Sequence, residues 1–319
     1  MSALLSDPNF RAGFGAGLGG VALIAVVAAL TRSRGRRPRL PLAGLALVVS
    51  GVVASAISPD AKLDPEALQA LALAALGGIV ATLGRFRGVA VAVAYTPAAL
   101  RLATAPGVDS APGWARWVAV GVVLVGGVHL TDFDRRHRAL GLAMPCFVAT
   151  IGGAYSTLPD TELTALLLGA AIPYLAISVP AVWETIGVAG AGALCTWYGW
   201  VVWVDGRARP GAIVGAVAAF GFVIAEPIAH QLFELREQPA FVEARRPPLL
   251  VTAGLTVMQC AIALAAGRIA GLQSDALSAA AIAVPILAVA GGVGLLIPKP
   301  RPIEGSRGPN SWRADRFRR

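Results

Sequence analysis

Apolar runs of about 20 residues recur from one end of the chain to the other, each long enough to cross roughly 30 Å of hydrocarbon as a helix. Short polar or glycine-rich segments separate them. The runs lie near Ala12–Leu30, Leu40–Ile57, Glu66–Leu83, Gly88–Ala105, Trp114–Leu130, Leu140–Leu158, Leu163–Val182, Ile186–Val204, Gly211–His230, Leu249–Ala266 and Ala276–Ile297. The fourth contains Arg101 and Pro97, and only "WET" separates the seventh from the eighth. The pattern predicts an all-α fold, a polytopic transmembrane helical bundle of about 11 spans. Residues 1–298 form the transmembrane domain, and residues 299–319 read as a disordered basic cytoplasmic tail, rich in Pro and Arg with no apolar face.

Polar positions at the ends of the runs agree. In "KLDPEALQA", Asp64 can cap a helix that Pro65 opens, with Glu66 at the positive end of its dipole. In "YSTLPDTEL", Asp160 or Thr161 does the same, with Glu162 in the first turn. Trp114, Trp117, Trp183 and Trp203 fall near predicted interfaces. Arg11 alone precedes the first run and "RSRGRRPR" follows it, the reverse of a signal peptide's charge order, so the run reads as a retained span with the N-terminus outside and the C-terminus cytoplasmic.

Charge sharpens this topology. Of the 27 Lys and Arg residues, 20 fall in predicted inner segments: five in "TRSRGRRPR", two in "GRFRG", three in "DFDRRHR", three between His230 and Pro247, and seven in the tail. Basic loops are retained on the cytoplasmic side, which points to the plasma (inner) membrane, with anionic lipid headgroups as partners of the loops and tail. The net charge of +9 and 56% hydrophobic content therefore describe a membrane protein, and no soluble segment is large enough for a nucleic-acid-binding face. Cys146, Cys195 and Cys260 lie inside apolar runs and read as small buried hydrophobes.

Small residues supply packing surfaces. Gly13/Gly17, Gly15/Gly19 and Gly211/Gly215 stand at GxxxG spacing, which lets helix backbones approach and offers faces for a membrane-protein partner or homo-oligomer. "GAGLGG", Gly15 to Gly20, matches a dinucleotide fingerprint in form only, because it sits inside a span without a preceding strand. Three histidines and no clustered carboxylates predict neither a metal site nor any other cofactor.

Two constellations carry candidate chemistry. Glu226, His230 and Glu234 share one helix face at i, i+4 and i+8, beside Pro227, and could bind an ion or relay protons unless they emerge into cytoplasm. Arg101, near the outer end of the fourth span, could anchor an anionic substrate. Asp160 or Glu162 would pair with it, and Tyr155, Ser156 and Thr157 would contribute hydroxyls. "HLTDFDRRHR" reads as a cytoplasmic loop with internal ion pairs. Pro97, Pro145, Pro173, Pro227 and Pro285 fall within spans and predict bent or partly unwound helices. The functional expectation is a transporter-like protein moving a small solute or lipid. A non-catalytic subunit or scaffold of a membrane complex is the alternative. An intramembrane enzyme on lipid-linked substrates comes third, because no catalytic cluster stands out.

Overall fold

A computed structural model describes residues 2–32, 42–105, 113–136, 141–178, 185–206, 210–221 and 223. Among them all regular structure is helical: α1 Ser2–Ser6, α2 Pro8–Arg32, α3 Ala43–Ile57, α4 Pro65–Leu83, α5 Val89–Ala103, α6 Gly113–Gly121, a π-helical turn Val122–Gly126, and α7 Gly127–Arg136. There follow α8 Ala143–Tyr155, α9 Glu162–Ala171, a 3-10 turn Ile172–Tyr174, α10 Leu175–Ser178, α11 Gly187–Gly206 and α12 Pro210–Ala219. Four helices are long and apolar enough to cross a membrane: Pro8–Leu30, Pro65–Leu83, Arg116–Arg135 and Gly187–Asp205. Shorter apolar helices cover Ala43–Ile57, Val89–Ala103, Ala143–Tyr155 and Glu162–Ser178. The protein is thus helical with several candidate membrane-spanning segments, a multi-pass pattern. Spans expected at Leu249–Ala266 and Ala276–Ile297, most of Gly211–His230, and the tail 299–319 lie outside the described residues.

The bundle is built around α11, whose apolar stretch is 83% buried against 17% for α2 at the edge. Glycines set how closely its neighbours approach. Gly13 and Gly17 of α2 face the α9 backbone, where a Cβ on Gly17 would lie 2.5 Å from the Ala170 carbonyl oxygen. Gly15 and Gly19 point the other way, with nothing near them. One of the two overlapping GxxxG pairs therefore packs and the other faces outward, since they lie on different sides of one helix. On α11 itself, Gly192 makes room for the Tyr95 ring, and the Trp197 indole lies against Gly51 of α3. Cys146 and Cys195 are fully buried, while Cys260 lies outside the described residues. Large apolar side chains stay exposed along the outer faces, including Leu23, Val26 and Leu30 of α2 and Val89, Val93 and Leu100 of α5. Hydrocarbon solvates such faces at no cost, whereas water would not.

Irregular backbone falls only partly where prolines stand. Pro173 divides the seventh span into α9, the 3-10 turn and α10, as a missing N–H within a helix requires. Pro97 lies inside an otherwise continuous α5. Pro145 is the third residue of α8, where its missing N–H is one of the first-turn orphans, so it breaks nothing. The fifth span instead carries the π turn at "VVLVG", without proline, and runs on as helix through Arg136. Most of "HLTDFDRRHR" is therefore helical, and its internal ion pair, Asp132 with Arg135, spans one helical turn. Asp64 and Pro65 occupy their expected places at the start of α4, but the Asp64 side chain makes no capping hydrogen bond.

Candidate functional site

At one end of the bundle, "GRFRG" joins α4 to α5. Helix α4 closes with the Arg85 N–H donating to the Thr82 carbonyl and the Phe86 N–H donating to the Ala81 carbonyl, a Schellman closure. That geometry needs a left-handed residue, normally glycine, after the cap. Here the residue is Arg85, at φ 53°, at a cost of roughly 1 kcal/mol. Glycine at Gly84 stands one position too early to relieve it. Gly88, at φ 55°, then turns the chain into α5. The two arginines are thereby held on a short, tightly folded hairpin.

Opposite the hairpin stand α7 and the start of α11. Asp134, a buried residue of α7, accepts hydrogen bonds from the N–H groups of Ile186 (3.3 Å) and Gly187 (3.0 Å). An acid on one helix thus caps another, satisfying two of the donors that a helix start leaves open. Thr185 precedes the cap and Arg135 is held by Asp132.

These elements enclose a cavity of about 630 Å³ lined by Arg85, Arg87, His129, Asp132, Asp134 and Arg135, by the hydroxyls of Thr82, Thr131 and Thr185, and by Val91, Val128 and Val188. Helix dipoles nearly cancel there, because α5 and α11 begin at this end while α4 and α7 finish. Side chains therefore set its charge. Both aspartates are engaged, one by Arg135 and one by the α11 backbone. Neither Arg85 nor Arg87 has an ion-pair or hydrogen-bond partner for its guanidinium among the described residues. The uncompensated charge is positive. One turn beyond Val91 on α5 stands Tyr95, fully buried, whose hydroxyl donates to the Val188 carbonyl at 2.5 Å and lies 3.4 Å from the Thr131 hydroxyl, both residues of the cavity lining.

The opposite end holds the residues singled out from the outer predicted segments, and it keeps them in separate groups. Arg101 donates from Nε to Gln69 Oε1 at 2.7 Å and lies 3.7 Å from Glu66. Its partners are those that the antiparallel α4–α5 hairpin puts beside it, in place of Asp160 or Glu162. Asp160 and Glu162 are exposed and near enough to Asp205 to repel its carboxylate. Asp205, buried at the end of α11, accepts hydrogen bonds from the N–H (3.1 Å) and hydroxyl (2.6 Å) of Thr164, in the first turn of α9. Thr161, at the N-cap position, makes no side-chain cap, so α9 too is capped from another helix. Tyr155 ends α8, half-buried against the core. Ser156 and Thr157 both donate to the Gly153 carbonyl, closing α8 instead of lining a site. Arg116 lies over the Trp203 ring at 5.7 Å. Glu226, His230 and Glu234 lie outside the described residues. Among the described residues, no three His, Cys, Asp or Glu side chains converge as a metal site.

Arg85 and Arg87 were legible only as topology charge, Asp134 only as part of a segment expected to hold internal ion pairs, and Asp205 not at all. The one available signal was chemical: an acid near the end of an apolar run, as in "WVVWVDG", needs a partner once buried. No protein-family model matches the chain, and no curated protein matches it significantly in sequence.

Proposed function

We propose that the protein is a transporter-like, multi-pass protein of the plasma membrane. Residues 1–298 form its transmembrane domain and residues 299–319 a basic cytoplasmic tail beside anionic lipid. The "GRFRG" cavity is the vestibule through which a small anionic solute or lipid headgroup enters from the cytoplasmic side. The observation that carries this reading is the cavity itself, lined by two arginines that have no ion-pair or hydrogen-bond partner among the described residues, with the Tyr95 hydroxyl against its Thr131 and Val188 walls. A charged cavity set against a packed helical core is consistent with one state of an alternating-access carrier.

The test is flux in proteoliposomes containing the full chain, with and without a proton gradient. Three probes are used: radiolabelled phosphate, glycerol 3-phosphate and a fluorescent short-chain phosphatidylglycerol. Protein-dependent movement of at least one is expected. Flux equal to that of protein-free liposomes for all three would overturn transport. That outcome would favour the scaffold reading, which draws on the outward-facing pair Gly15 and Gly19 and on the fully buried aromatics Trp197, Tyr198 and Phe147 of the mid-bundle.

A further inference from the structure

With the "GRFRG" cavity as the working site proposed above, we infer that its ligand is an organic phosphate, held through Arg85 and Arg87. Arg85 and Arg87, two residues apart on one hairpin, have no ion-pair or hydrogen-bond partner for their guanidinium groups among the described residues, and with Arg135, Asp132 and Asp134 the charged lining is net positive. A carboxylate offers two acceptor oxygens, enough to engage one guanidinium fork. A phosphate monoester carries between about −1.5 and −2 at neutral pH and offers three acceptor oxygens, enough for both. Guanidinium forks match phosphate oxygens in geometry as well as charge, and the Thr185 side chain also lines the cavity, whereas the Thr82 and Thr131 hydroxyls donate to helix carbonyls.

Size adds a second constraint. At about 630 Å³ the cavity falls within the range of sites for small organic ligands, and a bare phosphate ion would leave most of it unfilled. Apolar lining from Val91, Val128 and Val188 suits a carbon-bearing ligand. Backbone strain points the same way. Arg85 stands where glycine would close the turn without strain, so the guanidinium is kept against a local conformational cost.

That strain makes the test clean, because Arg85→Gly removes the charge and relaxes the turn together. The full-length protein in nonionic detergent is melted by tryptophan fluorescence, at constant ionic strength. The added probes are glycerol 3-phosphate, dihexanoyl phosphatidic acid, dihexanoyl phosphatidylcholine, inorganic phosphate and succinate. A saturable rise in melting temperature is expected with an organic phosphate monoester, and affinity should fall at least roughly tenfold in Arg85→Gly and in Arg87→Gln. Arg85→Gly alone should melt no lower than the parent protein. Response to phosphatidic acid alone identifies a lipid headgroup, and response to glycerol 3-phosphate identifies a soluble phosphorylated solute. The inference is overturned if succinate acts as well as the phosphates, if inorganic phosphate binds as tightly as either monoester, if neither monoester binds, or if both variants bind undiminished. Binding without flux in proteoliposomes would remove the transport reading and leave the phosphate site standing.

Discussion

Two glycines two residues apart on α2 have opposite surroundings. A Cβ on Gly13 would run into the Leu166 carbonyl and stand 2.9 Å from the Ala170 amide nitrogen, whereas a Cβ on Gly15 would meet nothing within 4 Å. Backbone atoms of a packed helix cannot step aside as a side-chain tip can. Gly13→Ala should therefore cost about 1–3 kcal/mol or more, through forced separation of α2 from α9. Gly15→Ala should leave stability unchanged or raise it by up to about 1 kcal/mol, the helix-propensity difference between the two residues. Melting of both variants in detergent checks the contrast, and equal losses would mean that the outward face is also packed. The spacing was plain in the sequence, but the side was not, because GxxxG starts at both Gly13 and Gly15 of "GFGAGLGG" and only the neighbour selects one.

Helices in this bundle begin on borrowed caps. The first turn of α9 relies on Asp205 and that of α11 on Asp134, each from the closing turns of a different helix. Asp205→Ala would leave the Thr164 N–H and hydroxyl without their acceptor in a buried site and should cost about 1–3 kcal/mol. Asp205→Asn keeps an acceptor and removes repulsion from Asp160 and Glu162, so it should melt within about 1 kcal/mol of the parent. If the two variants behave alike, the hydrogen bonds to Thr164 are not what Asp205 supplies. The helices themselves were largely legible: α3, α4, α5 and α11 start within three residues of the apolar runs that predicted them. The π turn was not, since "VVLVG" has the composition of any apolar helix and its extra residue answers to packing against α5 and α11. Nor were the trans caps, whose partners are separated by 41 and 52 residues.

At the scale of the molecule, the arginines divide between two ends that differ in kind. One end carries Arg85, Arg87 and Arg135 around a cavity. The other carries Arg101, set between Glu66 and Gln69, and Arg116, over Trp203. In the topology proposed above, the first end faces the cytoplasm. Single cysteines introduced at Phe86 and at Asp160, with Cys146, Cys195 and Cys260 replaced by alanine, give a direct check. An impermeant thiol reagent applied to intact cells should label the Asp160 site and spare the Phe86 site until the membrane is opened. The reverse would turn the molecule over and put the cavity mouth outside. The cavity could not have been read from the chain, because its walls come from segments up to about a hundred residues apart, around Ala81, Val128 and Thr185.

The two borrowed caps also impose an order in time. Ribosomes deliver α7 and α9 before α11, so Asp134 first exists without the backbone N–H groups it will hold, and Thr164 without the carboxylate it will bind. Both vacancies are filled by one event, the arrival of Gly187–Gly206, whose start takes the first aspartate and whose end supplies the second. Until then the earlier helices carry polar groups that water, lipid headgroups or a chaperone must cover. Both caps therefore wait on a single helix, the eighth apolar run of the sequence.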